Sequence, residues 1–165
     1  MFPPVLFVAT FLAALVMTQT LAHALEMPGK MRLDREQYYV VQTIYYPGFT
    51  IGGGAEPLAI IAAAAALLMQ PAGTGLFWLI AAALALLIIT HLLFWVVVQP
   101  VNRQWLETTR LSGAADRFFR TGEMKGDAAN WTKLRDRWER GHLARTVTSV
   151  AGFLLLLLAV ASPQA

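Results

Sequence analysis

The chain predicts an all-α integral membrane protein, a four-helix bundle running up-down-up-down, and three observations carry that prediction. Four apolar stretches each approach the roughly 20 residues needed to cross a hydrocarbon core about 30 Å thick. Only 14% of the 165 residues are charged while 57% are apolar, against about a quarter charged in soluble domains. The 13 Lys and Arg residues are confined to two segments. Lys30, Arg32 and Arg35 lie in the first; Arg103, Arg110, Arg117, Arg120, Lys125, Lys133, Arg135, Arg137, Arg140 and Arg145 lie in the second. Short basic loops mark the cytoplasmic side. The expected topology therefore has both termini outside and both basic connections cytoplasmic, in a plasma membrane of the bacterial inner type. The net charge of +3 follows from this bias and does not point to nucleic acid, although such flanks also attract anionic headgroups.

The first span is expected from about Val5 to Ala24. Ala22-His23-Ala24 has the small-x-small pattern of a signal-peptide cleavage site, but no Lys or Arg precedes Lys30, and cleavage would reverse the charge rule. An uncleaved helix is the better expectation. Tyr38, Tyr39, Tyr45 and Tyr46 lead into span two and are read as an interfacial aromatic belt; the other reading is a rim for an aromatic or quinone-like substrate.

The second span is expected from about Pro47 to Met69, interrupted by Gly52-Gly53-Gly54-Ala55-Glu56-Pro57. The alanine run at 62–66 permits close helix packing. Gln70 to Gly75 forms a tight turn, and the third span follows from about Gly75 to Val98. The connection 99–141 is too long to be featureless. A short helix is expected over Val101–Leu111, with Asn130 as the N-cap of a second helix. Trp131, Leu134, Trp138, His142 and Arg145 share one face, so this helix continues into span four, about Leu143 to Val160. Trp131 and Trp138 are placed near the interface.

Ionisable groups inside a membrane are costly and mark candidate sites. Here they are His23, Glu26, Glu56, His91 and His142, all counted into the cytoplasmic half of the bundle. Gln19, His23 and Glu26 form a polar stripe facing other helices. His142 and Glu26 lie close enough to the boundary to be solvated helix ends, and His23 has Gln19 and Glu26 within reach. His91 is surrounded by apolar bulk and needs partners. Glu56 sits in a helix break, and such breaks occur at membrane depth where they line a cavity or are buried in protein. Its bland alternative is a neutral carboxyl bonding across helices. Three His and two carboxylates suit a transition metal such as iron or copper; a haem with His91 as a ligand is a further option, and a site without any cofactor a third. With no cysteine in the chain, thiol chemistry and disulfides are excluded.

The polar, His-bearing first span, the Pro100-Val101-Asn102 motif followed by Trp105, and the stretch holding Trp131, Leu134, Arg137, Trp138 and Arg145 together resemble small four-span proteins of the anthrone-oxygenase-like family. The resemblance implies oxygen-dependent oxidation of a hydrophobic polycyclic aromatic at an activated methylene, without an obvious organic cofactor. The functional expectation is a membrane-embedded, oxygenase-like oxidoreductase acting on a hydrophobic small molecule. Glu56, His91 and His23 are its candidate catalytic groups. His23, Glu26, Glu56, His91 and His142 form the candidate metal set, and Asn102, Arg137 and Arg145 position the inner loop or an anionic group. The alternative is a proton- or cation-coupled carrier, or an accessory membrane subunit, centred on Glu56.

Overall fold

The computed structural model describes residues 4–45, 47–106 and 130–162, and their regular structure is entirely helical. The helices are α1 (Pro4–Lys30), α2 (Arg35–Gln42), α3 (Gly48–Gly52), α4 (Ala55–Leu68), α5 (Gly75–Leu93), α6 (Gln99–Leu106) and α7 (Trp131–Ala161). A 3-10 turn over Thr43–Tyr45 follows α2, and a π-helical turn over Phe94–Val98 joins α5 to α6. Residues 107–129, with Arg110, Arg117, Arg120 and Lys125, lie outside the described residues, as does Tyr46.

Four helical stretches are long and apolar enough to cross a membrane: Pro4–Lys30, Gly48–Leu68, Gly75–Gln104 and Trp131–Ala161. In the bundle α1 packs on α4 and α7, and α5 packs on the same two helices. Large apolar side chains face outward, among them Phe7, Phe11, Ile61, Trp78, Leu92, Val147 and Leu158, as lipid solvation demands.

Toward the end that holds the chain termini, the core is made largely of alanine. Ala9, Ala13, Ala59, Ala63, Ala66 and Ala83 are fully buried there, beside Leu6, Ile80 and Leu156. Small side chains let the backbones approach, which is the main source of helix association where lipid and protein are equally apolar. In the 62–66 run Ala63 and Ala66 are fully buried, and Ala62 packs against the same cluster. The turn before α5 uses Gly73 at φ +83°, a left-handed conformation that costs glycine nothing. Thr74 then caps α5, its hydroxyl accepting from the Phe77 amide at 3.1 Å.

At the other end the helices depart from the expected boundaries, each for a physical reason. Helix α1 continues past Ala24 to Lys30, because His23 and Lys30 are buried against the bundle and not solvated. Span two is two helices, divided within the expected glycine run. Gly53 and Gly54 break it, with the Gly54 amide bonding Ile51 O at 3.1 Å and the Glu56 amide bonding Gly53 O at 3.1 Å. Pro57 falls in the first turn of α4, where a missing N–H costs nothing.

The helix expected after Pro100 begins at Gln99 and runs on from span three through the π turn. Proline lacks the amide that would bond the carbonyl four residues earlier, here that of Val96. The Gln99 amide reaches back to Phe94 O, and the Val96 carbonyl accepts instead from Arg137 Nη2 at 3.0 Å. Helix α7 is continuous across the expected cytoplasmic segment and span four. Asn130 stands at its N-cap position without a side-chain capping bond.

Candidate functional site

The helix break in span two places Glu56 in the first turn of α4, buried at 7% exposure with its carboxylate turned into the bundle. A helix N-terminus favours a negative charge, but burial demands partners as well. The two oxygens take different ones. Glu56 Oε1 accepts from Arg145 Nη2 of α7. Glu56 Oε2 lies 3.0 Å from His91 Nδ1 of α5. On the far side of the ring, His91 Nε2 accepts from the indole N–H of Trp95 at 2.9 Å.

Because an indole only donates, that last bond fixes the tautomer. His91 Nε2 carries the lone pair, and Nδ1 carries the proton and donates it to Glu56. Trp95, His91, Glu56 and Arg145 thus form one hydrogen-bonded chain joining spans two, three and four, its donors converging on Glu56 from both sides.

Arg145 extends the chain further. Its Nη1 lies 3.4 Å from His142 Nδ1, and its guanidinium stands 5.0 Å over the Phe94 ring. The rings of His142 and His23 approach to 3.9 Å between centroids. Trp138 packs on His142 at 4.1 Å and on His23 at 5.0 Å, while Tyr45 and Phe49 flank His23 at 4.6 and 4.8 Å. Trp138 is fixed by its own N–H, which donates to Asn102 Oδ1 at 2.8 Å. His23 Nδ1 is buried without a hydrogen-bond partner among the described residues, as is Thr50 Oγ1.

These groups surround a cavity of about 380 Å³, within the roughly 300–1000 Å³ usual for small-molecule sites. Its walls combine the polar chain with Phe49, Phe94, Trp95 and Trp138, and one edge is formed by Gly53, Gly54 and Pro57 at the helix break. Gln19 closes the break from α1, its Nε2 donating to Gly52 O at 2.9 Å. A side chain at Gly52 would run into it, since a Cβ there would stand 2.6 Å from Gln19 Oε1.

Of the residues singled out in the sequence, His23, Glu56, His91, Asn102, His142 and Arg145 line this cavity; Glu26 and Arg137 do not. His142 is 3% exposed and is no solvated helix end. Gln19 bonds Gly52 and Leu15, and Glu26 accepts from Tyr45 Oη, so neither is the partner expected for His23. The five-residue metal set is not gathered at one point: among the described residues no three His, Asp or Glu side chains are placed to share a metal ion. Glu56 is engaged by His91 and Arg145, and Glu26 by Tyr45 and Lys30. Both nitrogens of His91, the residue considered as a haem ligand, are also occupied.

A second polar cluster, absent from the sequence reading, lies beside the first. Lys30 and Glu139 are 3% and 2% exposed, and Lys30 Nζ stands 3.3 Å from Glu139 Oε1 and 4.5 Å over the Trp138 ring. Tyr38 donates to Glu139 Oε1 at 2.7 Å. Tyr38 and Tyr45 are therefore inward latches tying α2 and the following turn to the bundle, and not a lipid-facing belt. Burial, then the Glu139 carboxylate, pushes the Tyr38 phenol up from its usual range. Burial, then the bond to Glu26, does the same for Tyr45. Both therefore stay protonated donors at physiological pH.

Trp95 was the other omission, although its i+4 spacing from His91 is the signal for one helix face. Lys30 carried the same signal from Glu26. Glu139, next to Trp138 on α7, had no local signal.

No curated protein and no solved structure matches this chain. The family model described as anthrone oxygenase matches residues 42–155, covering the helix break, the His91 helix, the Pro100 turn and most of α7; with more than half of its length matched, the chain belongs to the anthrone oxygenase family.

Proposed function

We propose that the protein is a membrane-embedded, oxygenase-like oxidoreductase that oxidises an activated methylene of a hydrophobic aromatic substrate in the 380 Å³ cavity. The observation that supports it most is the ordered pair of Glu56 and His91. A carboxylate holding the Nδ1 proton of a neutral histidine leaves Nε2 as a base of fixed direction. The aromatic walls offer stacking surface for a flat substrate.

In this reading His91 Nε2 takes one methylene proton once the indole of Trp95 has given way to substrate. Glu56 balances the imidazolium, and Arg145 provides positive charge beside the developing carbanion. The carbanion transfers its electrons to molecular oxygen and a C–O bond forms. The imidazolium returns its proton to the peroxide, giving a hydroperoxide. Cleavage of the O–O bond, with loss of the second C–H proton, gives ketone and water. One methylene and one oxygen molecule become one carbonyl and one water, so no further reductant is required.

The carrier alternative asks Glu56 to bind and release a cation. Arg145 already neutralises that carboxylate from within the bundle, which disfavours it.

The test is oxygen uptake by purified protein in mild detergent, with a tricyclic ketone bearing a doubly benzylic methylene as the probe. Uptake matched one-to-one by ketone formation is expected, falling by about 10²–10⁴-fold in His91→Gln. Trp95→Phe keeps an aromatic wall, removes the N–H that occupies Nε2 and should retain turnover. Absence of uptake above the spontaneous rate, or full activity in His91→Gln, would overturn the proposal.

A further inference from the structure

The outer face of α7 carries a basic groove that shares no lining residue with the cavity. Lys133, Arg137 and Arg140 stand at i, i+4 and i+7 and so share one face of the helix. All three are exposed. Together with Val97 and Asp136 they line an open groove of about 470 Å³ between α7 and the π turn of span three. The acid in this groove is already occupied: both Arg135 Nε and Nη2 donate to Asp136 Oδ1, at 3.0 and 2.9 Å. Arg137 is held in place by the Val96 carbonyl that Pro100 leaves without an amide partner.

The surroundings identify what the groove takes. Deeper along the same surface the exposed side chains turn apolar: Val96 is 64% exposed, Leu92 53%, Leu143 43% and Val147 65%. Val147 lies seven residues beyond Arg140, on the same face. A cationic groove opening onto a lipid-facing apolar wall is complementary to a molecule with an anionic head and an acyl chain. A free phosphate would use the cations and leave the wall unused.

We infer that this groove binds the phosphate headgroup of an anionic phospholipid, with an acyl chain lying along Val96 and Val147. Each basic residue close to a membrane surface adds to the attraction for anionic lipid. Removing three should therefore weaken retention by well over tenfold.

The experiment uses the full-length protein in vesicles of equal parts phosphatidylglycerol and phosphatidylcholine, extracted in mild detergent, with bound lipid counted by native mass spectrometry. The expected result is retention of phosphatidylglycerol over phosphatidylcholine, lost at least tenfold in Lys133→Gln/Arg137→Gln/Arg140→Gln. Arg32→Gln/Arg35→Gln, on the other basic connection, should retain it. Circular dichroism of both variants establishes folding, and Arg137→Lys in place of Arg137→Gln should restore part of the binding. Equal loss in the two multiple variants would overturn the site by making the effect one of general charge. Equal retention of the two lipids would overturn it as well. Displacement of the lipid by millimolar inorganic phosphate would assign the groove to a free anion and overturn the lipid.

Discussion

The two ends of the bundle solve the same packing problem with opposite means. At the end holding the chain termini, helices meet through alanine, leucine and isoleucine, and their backbones are regular. At the basic end they meet through Glu56–Arg145, Glu56–His91 and Lys30–Glu139. Both irregularities of the spanning helices, the Gly53-Gly54 break and the π turn before Pro100, lie toward that end. Close apolar packing is sufficient to hold helices together in lipid. A buried ion pair adds little over an apolar contact of the same volume, and breaking it is costly. Stability alone therefore does not account for the charged end, and in the proposed reading it serves the cavity it encloses.

Variants at the two ends sharpen the contrast. The largest loss of stability should come from Arg145→Ala, which strands a buried Glu56 carboxylate; about 3–5 kcal/mol is expected, read as the midpoint of thermal or denaturant unfolding in detergent. Glu56→Gln/Arg145→Met should recover much of it, since the double variant leaves no unpaired buried charge. At the other end Ala63→Leu should cost about 1–3 kcal/mol through overpacking while leaving ligand binding in the cavity unchanged, as isothermal titration can determine. Loss of binding with it would show that the two ends are not independent.

Tyr38→Phe removes the phenol that donates to Glu139. A bond to a charged acceptor is worth about 1.5–3 kcal/mol, and hydrogen exchange of α2 should speed up accordingly. The smallest effect is expected from Arg137→Gln, which removes one bond to the Val96 carbonyl, about 0.5–1.5 kcal/mol, confined in hydrogen exchange to the π turn.

What was legible in the sequence follows the range of the interactions. Apolar runs give spans because hydration is a local property, and the four appear as expected. The Glu56 break was legible because consecutive glycines and a proline act on their own neighbours. The one-face pattern from Trp131 to Arg145 anticipated the buried row of Trp138, His142 and Arg145.

Pairings were not legible. Glu56 and Arg145 are 89 residues apart, and Tyr38 and Glu139 are 101 apart. Lys30 was counted as a loop charge, yet two carboxylates and two aromatic rings surround it. Aromatic residues at a membrane boundary usually form a belt, which is why Tyr38 and Tyr45 read as part of one; the carboxylates of Glu139 and Glu26 make those two latches. A metal set looked available in composition because a list of ligands carries no geometry, and the arginine that takes Glu56 is not on such a list.

The central claim is that Glu56 acts through His91. A double-mutant cycle on oxygen uptake tests it most directly, comparing Glu56→Gln, His91→Gln and the two together with the parent protein. Groups that act as a unit are non-additive. The account predicts that each single variant is strongly impaired and that the double variant is no slower than the worse single one. Losses that multiply in the double variant, or a Glu56→Gln protein as active as the parent, would contradict it.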